Sequence, residues 1–199
     1  MEKNYPVITI SREYAAYGRT VAAALSERLG IPYYDKDFVR ETAKQSGYSE
    51  EDIAREGEDM SRGSKIMNTL LNNATRYTSS YDGIYKAQRE VILQLAKSPC
   101  IIVGRCADYI LQEAGVDSFD IYLYADVEHR MIRARELEAD PDVDVRKIIA
   151  KKDAQRSIYY KQYTGREMGY SGNYDICLDI GKFGVEKCVE LLCELIKEA

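Results

Sequence analysis

The sequence predicts an α/β fold in which one parallel sheet is covered by helices on both faces. Two observations predict it. Short apolar runs rich in β-branched residues recur along the chain, as strands buried on both faces require. Between them lie stretches with apolar residues at helical spacing, and strand–helix–strand alternation implies right-handed crossovers in a parallel sheet. At 199 residues the chain is about one domain long, enough to cover a sheet on both sides.

The elements follow in order. Val7–Ile10 is a β-branched strand, Ser11–Gly18 a loop, and Val21–Leu29 a helix stopped by Gly30. Ile31–Tyr34 is a brief extended piece ending at Asp35. Residues 36–97 are helical in character and carry no strong strand signal. Acidic residues follow Ser49 as at a helix start, and Gly63–Ala74 and Tyr81–Ala96 are amphipathic. Cys100–Val103 is a third apolar strand with a helix over 107–113, and Asp120–Ala125 a fourth with a helix over 127–138. Asp140-Pro141-Asp142 breaks that helix. A further helix runs over 143–160, a polar Gly-bearing loop over 163–173, a last strand over 174–180 and a closing helix over 185–196.

Composition narrows the function. Hydrophobic residues make up 45% and charged residues 31%, as in ordinary globular proteins. The net charge of −5 argues against a dedicated nucleic-acid binder. The sequence opens without a basic segment leading into an apolar one, and no run of 18 apolar residues occurs; we expect a cytoplasmic protein with no membrane partner. The five cysteines form no CxxC pair and read as buried reduced thiols. With His129 as the only histidine, a zinc site has no ligand set.

Four constellations carry possible chemistry. The first is ITISREYAAYGRT, a strand, a tight loop and a helix start, where free N–H groups and the helix dipole favour an anion. Against the GxxxxGK(S/T) pattern only Gly18 remains, Arg19 stands in the lysine slot, and Thr20 offers a metal-binding hydroxyl. On its own the stretch is equally an ordinary strand-to-helix turn. The second is Gly104-Arg105 beyond the third strand, where ligands of open α/β sheets bind and an arginine can hold a phosphate. The third is the helix bearing His129, Arg130, Arg133 and Arg135. Arg133 and Arg135 read as a solvated basic face, and His129 as an exposed helix residue. The fourth is KKDAQRSIYYKQYTG, with Asp153 and Arg156 three apart on one face beside a Gly-bearing loop. An arginine on a mobile element can close over a transferring phosphoryl group. The tyrosines read as packing residues in a chain without tryptophan.

These four, together with LGIPYYDKD, DIYLYADVEHRMIR and NYDICLDIGKFGVEKCVELL, resemble the cytidylate-kinase-like family of P-loop nucleoside-monophosphate kinases over nearly the whole chain. The resemblance implies a three-layer P-loop-type sheet as a single kinase-like domain. Its core would be residues 1–35, 98–151 and 173–199, its helical monophosphate-binding insert 36–97, and its lid 152–172. It implies Ser11, Arg12, Gly18, Arg19 and Thr20 on the phosphate loop, with Thr20 toward Mg²⁺. Asp35, Arg105 and Arg130 would serve the acceptor, and Arg19, Arg105, Asp153 and Arg156 the transfer. The implied reaction moves the γ-phosphoryl of ATP, with Mg²⁺, to a small-molecule nucleotide, a cytidylate-like monophosphate. The chain departs from true cytidylate kinases at Ala15-Ala16-Tyr17, in place of small flexible residues, and at Val103, in place of an aspartate. Those departures, and the missing lysine, keep open a non-catalytic nucleotide- or phosphate-binding module. A phosphotransferase for a non-nucleotide acceptor is a third reading.

Overall fold

The computed structural model describes residues 6–35 and 80–198. Strands β1 (Val7–Arg12), β2 (Tyr33–Tyr34), β3 (Ile101–Val103), β4 (Ser118–Tyr124) and β5 (Ile176–Asp179) form one sheet in the order β2-β3-β1-β4-β5. Every pairing in it is parallel. The α/β expectation holds. The central strand β1 pairs Ile10 with Val103 on one side and with Ile121 on the other. The chain therefore changes direction across the sheet at β1, and its crevice lies at the carboxyl end of that strand.

Alternation along the strands builds two cores. Ile8, Ile10, Ile101, Val103, Ile121, Leu123 and Leu178 face α1 (Gly18–Leu29) and α6 (Ile180–Glu198). Val7, Cys100 and Ile102 face the opposite layer, made by α2 (Ser80–Leu95), α3 (Ala107–Glu113) and the Tyr159–Tyr160 stretch of α5 (Val145–Thr164). Period-2 side chains with both faces buried are what an all-parallel sheet demands. Between β4 and α5 lies α4 (Val127–Leu137), whose Ala134 packs with Val145, Ile149 and the loop residue Ala15.

Three boundaries differ from expectation, each for a local reason. Helix α1 starts at Gly18, so Gly18, Arg19 and Thr20 form its first turn. Helix α5 starts at Val145, because the Asp144 side chain accepts the Lys147 N–H at 3.2 Å. It then runs unbroken to Thr164, where Gly165 takes a left-handed φ of 71° as its cap. The expected lid boundary at residue 152 thus falls inside one continuous helix. Helix α6 is interrupted at Gly184 (φ 76°, ψ 161°), so its regular part matches the expected 185–196 helix. The expected helices at Ser49 and over 63–74 lie outside the described residues. Among the described residues no helix is long and apolar enough to cross a membrane.

Candidate functional site

The loop after β1 is held from behind by charge. Arg130 on α4 is 6% exposed, and burial at that depth requires counter-charges. It has two. Its Nη1 donates to Asp153 Oδ2 at 2.5 Å, and its Nε lies 3.3 Å from Glu13 Oε2. Nη1 also donates to the Tyr14 carbonyl at 3.3 Å. Asp153 in turn accepts the Tyr14 N–H at 2.7 Å, and Glu13 accepts the Ala125 N–H at 3.2 Å. Burial pushes the Glu13 carboxyl above its ordinary range, with Arg130 opposing. One guanidinium and two carboxylates therefore pin residues 13 and 14 to α4, α5 and the end of β4.

Pinned in this way, the loop adopts an unusual backbone. Ala15 (φ 60°) and Tyr17 (φ 56°) both lie in the left-handed region, which costs a residue with a Cβ roughly 1–2 kcal/mol. Tyr17 is the residue before α1, and no side chain caps that helix. The first-turn N–H groups of α1 therefore meet no protein oxygen from a capping side chain, the arrangement that suits an anion.

In front of the loop is a cleft of about 260 Å³. One wall is Arg12 to Thr20 itself. The other wall comes from α4 and α5 and a residue between them: Arg133 and Leu137 of α4, Glu138, and Lys152 and Arg156 of α5. Two guanidiniums lie over two tyrosine rings across it, Arg133 5.3 Å from the Tyr17 centroid and Arg156 5.4 Å from that of Tyr14. Arg156 also donates to the Arg12 carbonyl at 3.4 Å.

Arg12 connects this cleft to the next loop. Its stem crosses Gly18, where a Cβ would lie 2.9 Å from its Cγ, and its Nη1 reaches Gly104, where a Cβ would lie 2.3 Å away. The two glycines are thus reserved for the passage of a side chain. Burial, Arg156, Arg105 and Arg19 push the Arg12 guanidinium down to about 9, with Asp35 opposing. It keeps its proton at neutral pH. The Gly104 loop is as unusual as the first, with Gly104, Arg105 and Cys106 at φ 78°, 61° and 56° in succession. Arg105 Nη1 is buried without a hydrogen-bond partner among the described residues.

Helix α5 and the core also meet on the far side of the sheet. The Tyr160 hydroxyl donates to Asp108 at 2.6 Å, the Tyr159 hydroxyl to Gln88 at 2.7 Å, and Tyr163 stacks on Tyr85 at 4.1 Å. Burial pushes the Asp108 carboxyl up to about 6, although its bond from Tyr160 pulls the other way.

The sequence-derived residues distribute as follows. Arg12, Gly18, Arg19, Thr20 and Arg156 line the cleft. Arg19, in the first turn of α1, ion-pairs with Asp35, just after β2. Arg105 is not among the residues lining the cleft; Arg12 ends at its neighbour Gly104. Ser11 is 4% exposed and bonded to the Tyr174 hydroxyl, so its side chain is part of the packing. Arg130 and Asp153 lie behind the loop, engaged with each other. Arg133, read from sequence as a solvated face, lines the cleft; its spacing of three from Arg130 was the available signal. Tyr14 and Tyr17 gave no signal, because loop tyrosines lack any periodic pattern. His129 stands exposed, bonded to Asp126 at 2.7 Å.

Residues 7–182 match the cytidylate kinase-like family. A cytidylate kinase of Thermoplasma acidophilum is 27% identical over 174 residues, 86% of this chain and 82% of that protein. An uncharacterized protein of Eubacterium ventriosum superposes with a TM-score of 0.73 at 25% identity, covering 98% of this chain and 99% of its own. Shikimate kinase of Acinetobacter baumannii, solved with shikimate, superposes with a TM-score of 0.56 at 14% identity, covering 98% and 95%. The last likeness is one of fold, the P-loop kinase sheet.

Proposed function

Because the chain belongs to the cytidylate kinase-like family and is a phosphotransferase, we propose that it transfers the γ-phosphoryl of ATP to a nucleoside monophosphate, with cytidylate as the first acceptor to test. The observation that carries this reading is that Arg12, Arg19 and Arg156 line one cleft at the carboxyl end of the sheet, with Arg12 reaching Gly104 beside Arg105, next to an uncapped helix start. Phosphoryl transfer asks little covalent chemistry of a protein; it needs positioning and positive charge. On this reading Arg19 and the α1 amides hold the donor phosphates, Arg105 and Asp35 serve the acceptor from residues 36–97, and Arg156 stabilises the group in transit from the lid at 152–172. Asp153 and Arg130 act as positioning residues that fix Tyr14 and the loop.

Among the described residues no group of three acidic, histidine or cysteine side chains forms a metal cage. Glu13 and Asp153 are committed to Arg130, and Val103 supplies no carboxylate. The donor set fits Mg²⁺ as part of a nucleotide complex, with Thr20 as the protein oxygen and phosphates and water as the rest. Such an ion would neutralise charge on the transferring phosphates.

The test is a panel of ATP and GTP against CMP, dCMP, UMP, AMP and shikimate, with products identified by mass. A new diphosphate nucleotide is the expected product. The positive-φ alanine and tyrosine in the phosphate loop favour one competitor, a nucleotide-binding module without turnover. Bound ATP with a rate equal to buffer across the panel would establish that competitor.

A further inference from the structure

We propose that Arg12 is a phosphoryl anchor shared by the two loops, carrying out the task that a lysine performs in the GxxxxGK(S/T) pattern. The proposal rests on the kinase reading above. Arg12 leaves the end of β1, crosses Gly18 in the first turn of α1 and ends at Gly104 beside Arg105. It is the described side chain that physically spans the donor loop and the acceptor loop. A Cβ at Gly18 would meet the stem of Arg12, so that glycine holds the path open, while Gly104 is set by its left-handed φ of 78° and lies against the tip of the guanidinium.

Its surroundings fit a ligand. Arg130, the guanidinium behind the loop, is neutralised by two carboxylates. Arg12 has no carboxylate bonded to it among the described residues and feels the charges of Arg156, Arg105 and Arg19. Asp35, which offsets part of this, is ion-paired with Arg19. A partly buried cation among cations is unfavourable until an anion joins it. Phosphate oxygens supply that charge, and a guanidinium fork meets two of them at once. In the transfer, an acceptor-phosphate oxygen bonds to the γ-phosphorus as the bond from that phosphorus to the β,γ-bridging oxygen breaks. The electron pair leaves on the diphosphate, and no redox partner is needed. Arg12 lies where the oxygens of the migrating group would pass between the loops.

The experiment compares parent, Arg12→Met and Arg12→Lys in the full chain, by thermal unfolding, ATP/CMP kinetics and pyrophosphate titration. Arg12→Met keeps the apolar stem over Gly18 and removes a repelled charge, so it should unfold at the parent's temperature or higher. Its kcat should fall about 10³-fold, the scale of an arginine on a transferring phosphoryl group, with KM for ATP rising in step with a loss of pyrophosphate affinity. Arg12→Lys should recover about 10-fold or more of that loss. An unchanged kcat in Arg12→Met overturns the proposal. So does unfolding of both variants, which would make Arg12 a structural residue. If the parent transfers phosphoryl to no acceptor, the kinase reading fails separately and pyrophosphate decides: weakening of 10-fold or more in Arg12→Met supports the anchor, and equal affinity overturns it.

Discussion

Arg12 and Arg130 flank the same loop and are both drawn out of water, yet their surroundings are opposite. Arg130 is enclosed by Glu13 and Asp153 and bonds the Tyr14 carbonyl. Arg12 faces three other guanidiniums, with glycines cleared along its path. A neutralised arginine fastens structure; on the reading proposed above, an arginine among like charges favours an anion. The carboxylates around each cation, rather than its burial, separate the fastening side of this loop from the side proposed to bind.

The sharpest way to break that division is Arg156→Ala. On the binding side its loss should reduce turnover by about 10³-fold, about 4 kcal/mol of transition-state stabilisation. The fold and ATP affinity should change little. Equal turnover in parent and variant would move Arg156 to the fastening side.

Arg130→Met comes next and should have the converse signature. Removing one partner of a buried pair strands the carboxylates, so unfolding in urea should show a loss of about 3 kcal/mol. A stability equal to the parent's would mean that Glu13 and Asp153 do not depend on Arg130. Together with a stable Arg12→Met, this loss would make the contrast between the two arginines quantitative.

Asp108 tests the second seam, between α5 and the core. Its carboxyl is raised from 3.8 to about 6, so the native state holds the proton more tightly than the unfolded chain. Its favourable contribution is full below about pH 4 and is lost as pH rises through 6, which amounts to about 3 kcal/mol for a shift of about two units. Asp108→Asn should remove that slope, so the stability difference between variant and parent should grow in the variant's favour from pH 4 to pH 7. A difference independent of pH would refute the shift.

The smallest effect concerns the loop backbone. Ala15 already pays the left-handed cost at φ 60°, so Ala15→Gly should leave stability within about 0.5 kcal/mol of the parent. Ala22, buried in regular α1, should lose about 1 kcal/mol or more on the same change. Equal losses at the two positions would show that the loop conformation carries no strain.

Much of the architecture was legible in the residues themselves. Strand positions such as Ile8, Ile10, Ile101 and Val103 announce a sheet buried on both faces, because the runs are short, β-branched and bounded by loop residues. Gly30 and Asp140-Pro141 mark ends by local sterics. The loop ITISREYAAYGRT, Arg105 and the Asp153/Arg156 pair were legible as an order of motifs. Which partner each charge takes was not: Arg130 meets Glu13, 117 positions away in sequence, and no local periodicity encodes that. Gly18 and Gly104 belong to the two loops that the sequence marked as phosphate-binding candidates, and in the fold both lie against the Arg12 side chain. Arg133 became a cleft residue because α4 lies across the phosphate loop, a fact of packing. Local rules of propensity and periodicity thus determined the elements and their kind. The assignment of each arginine to a carboxylate, an aromatic ring or an open cleft was decided by tertiary structure, since electrostatic pairing depends on distance in space.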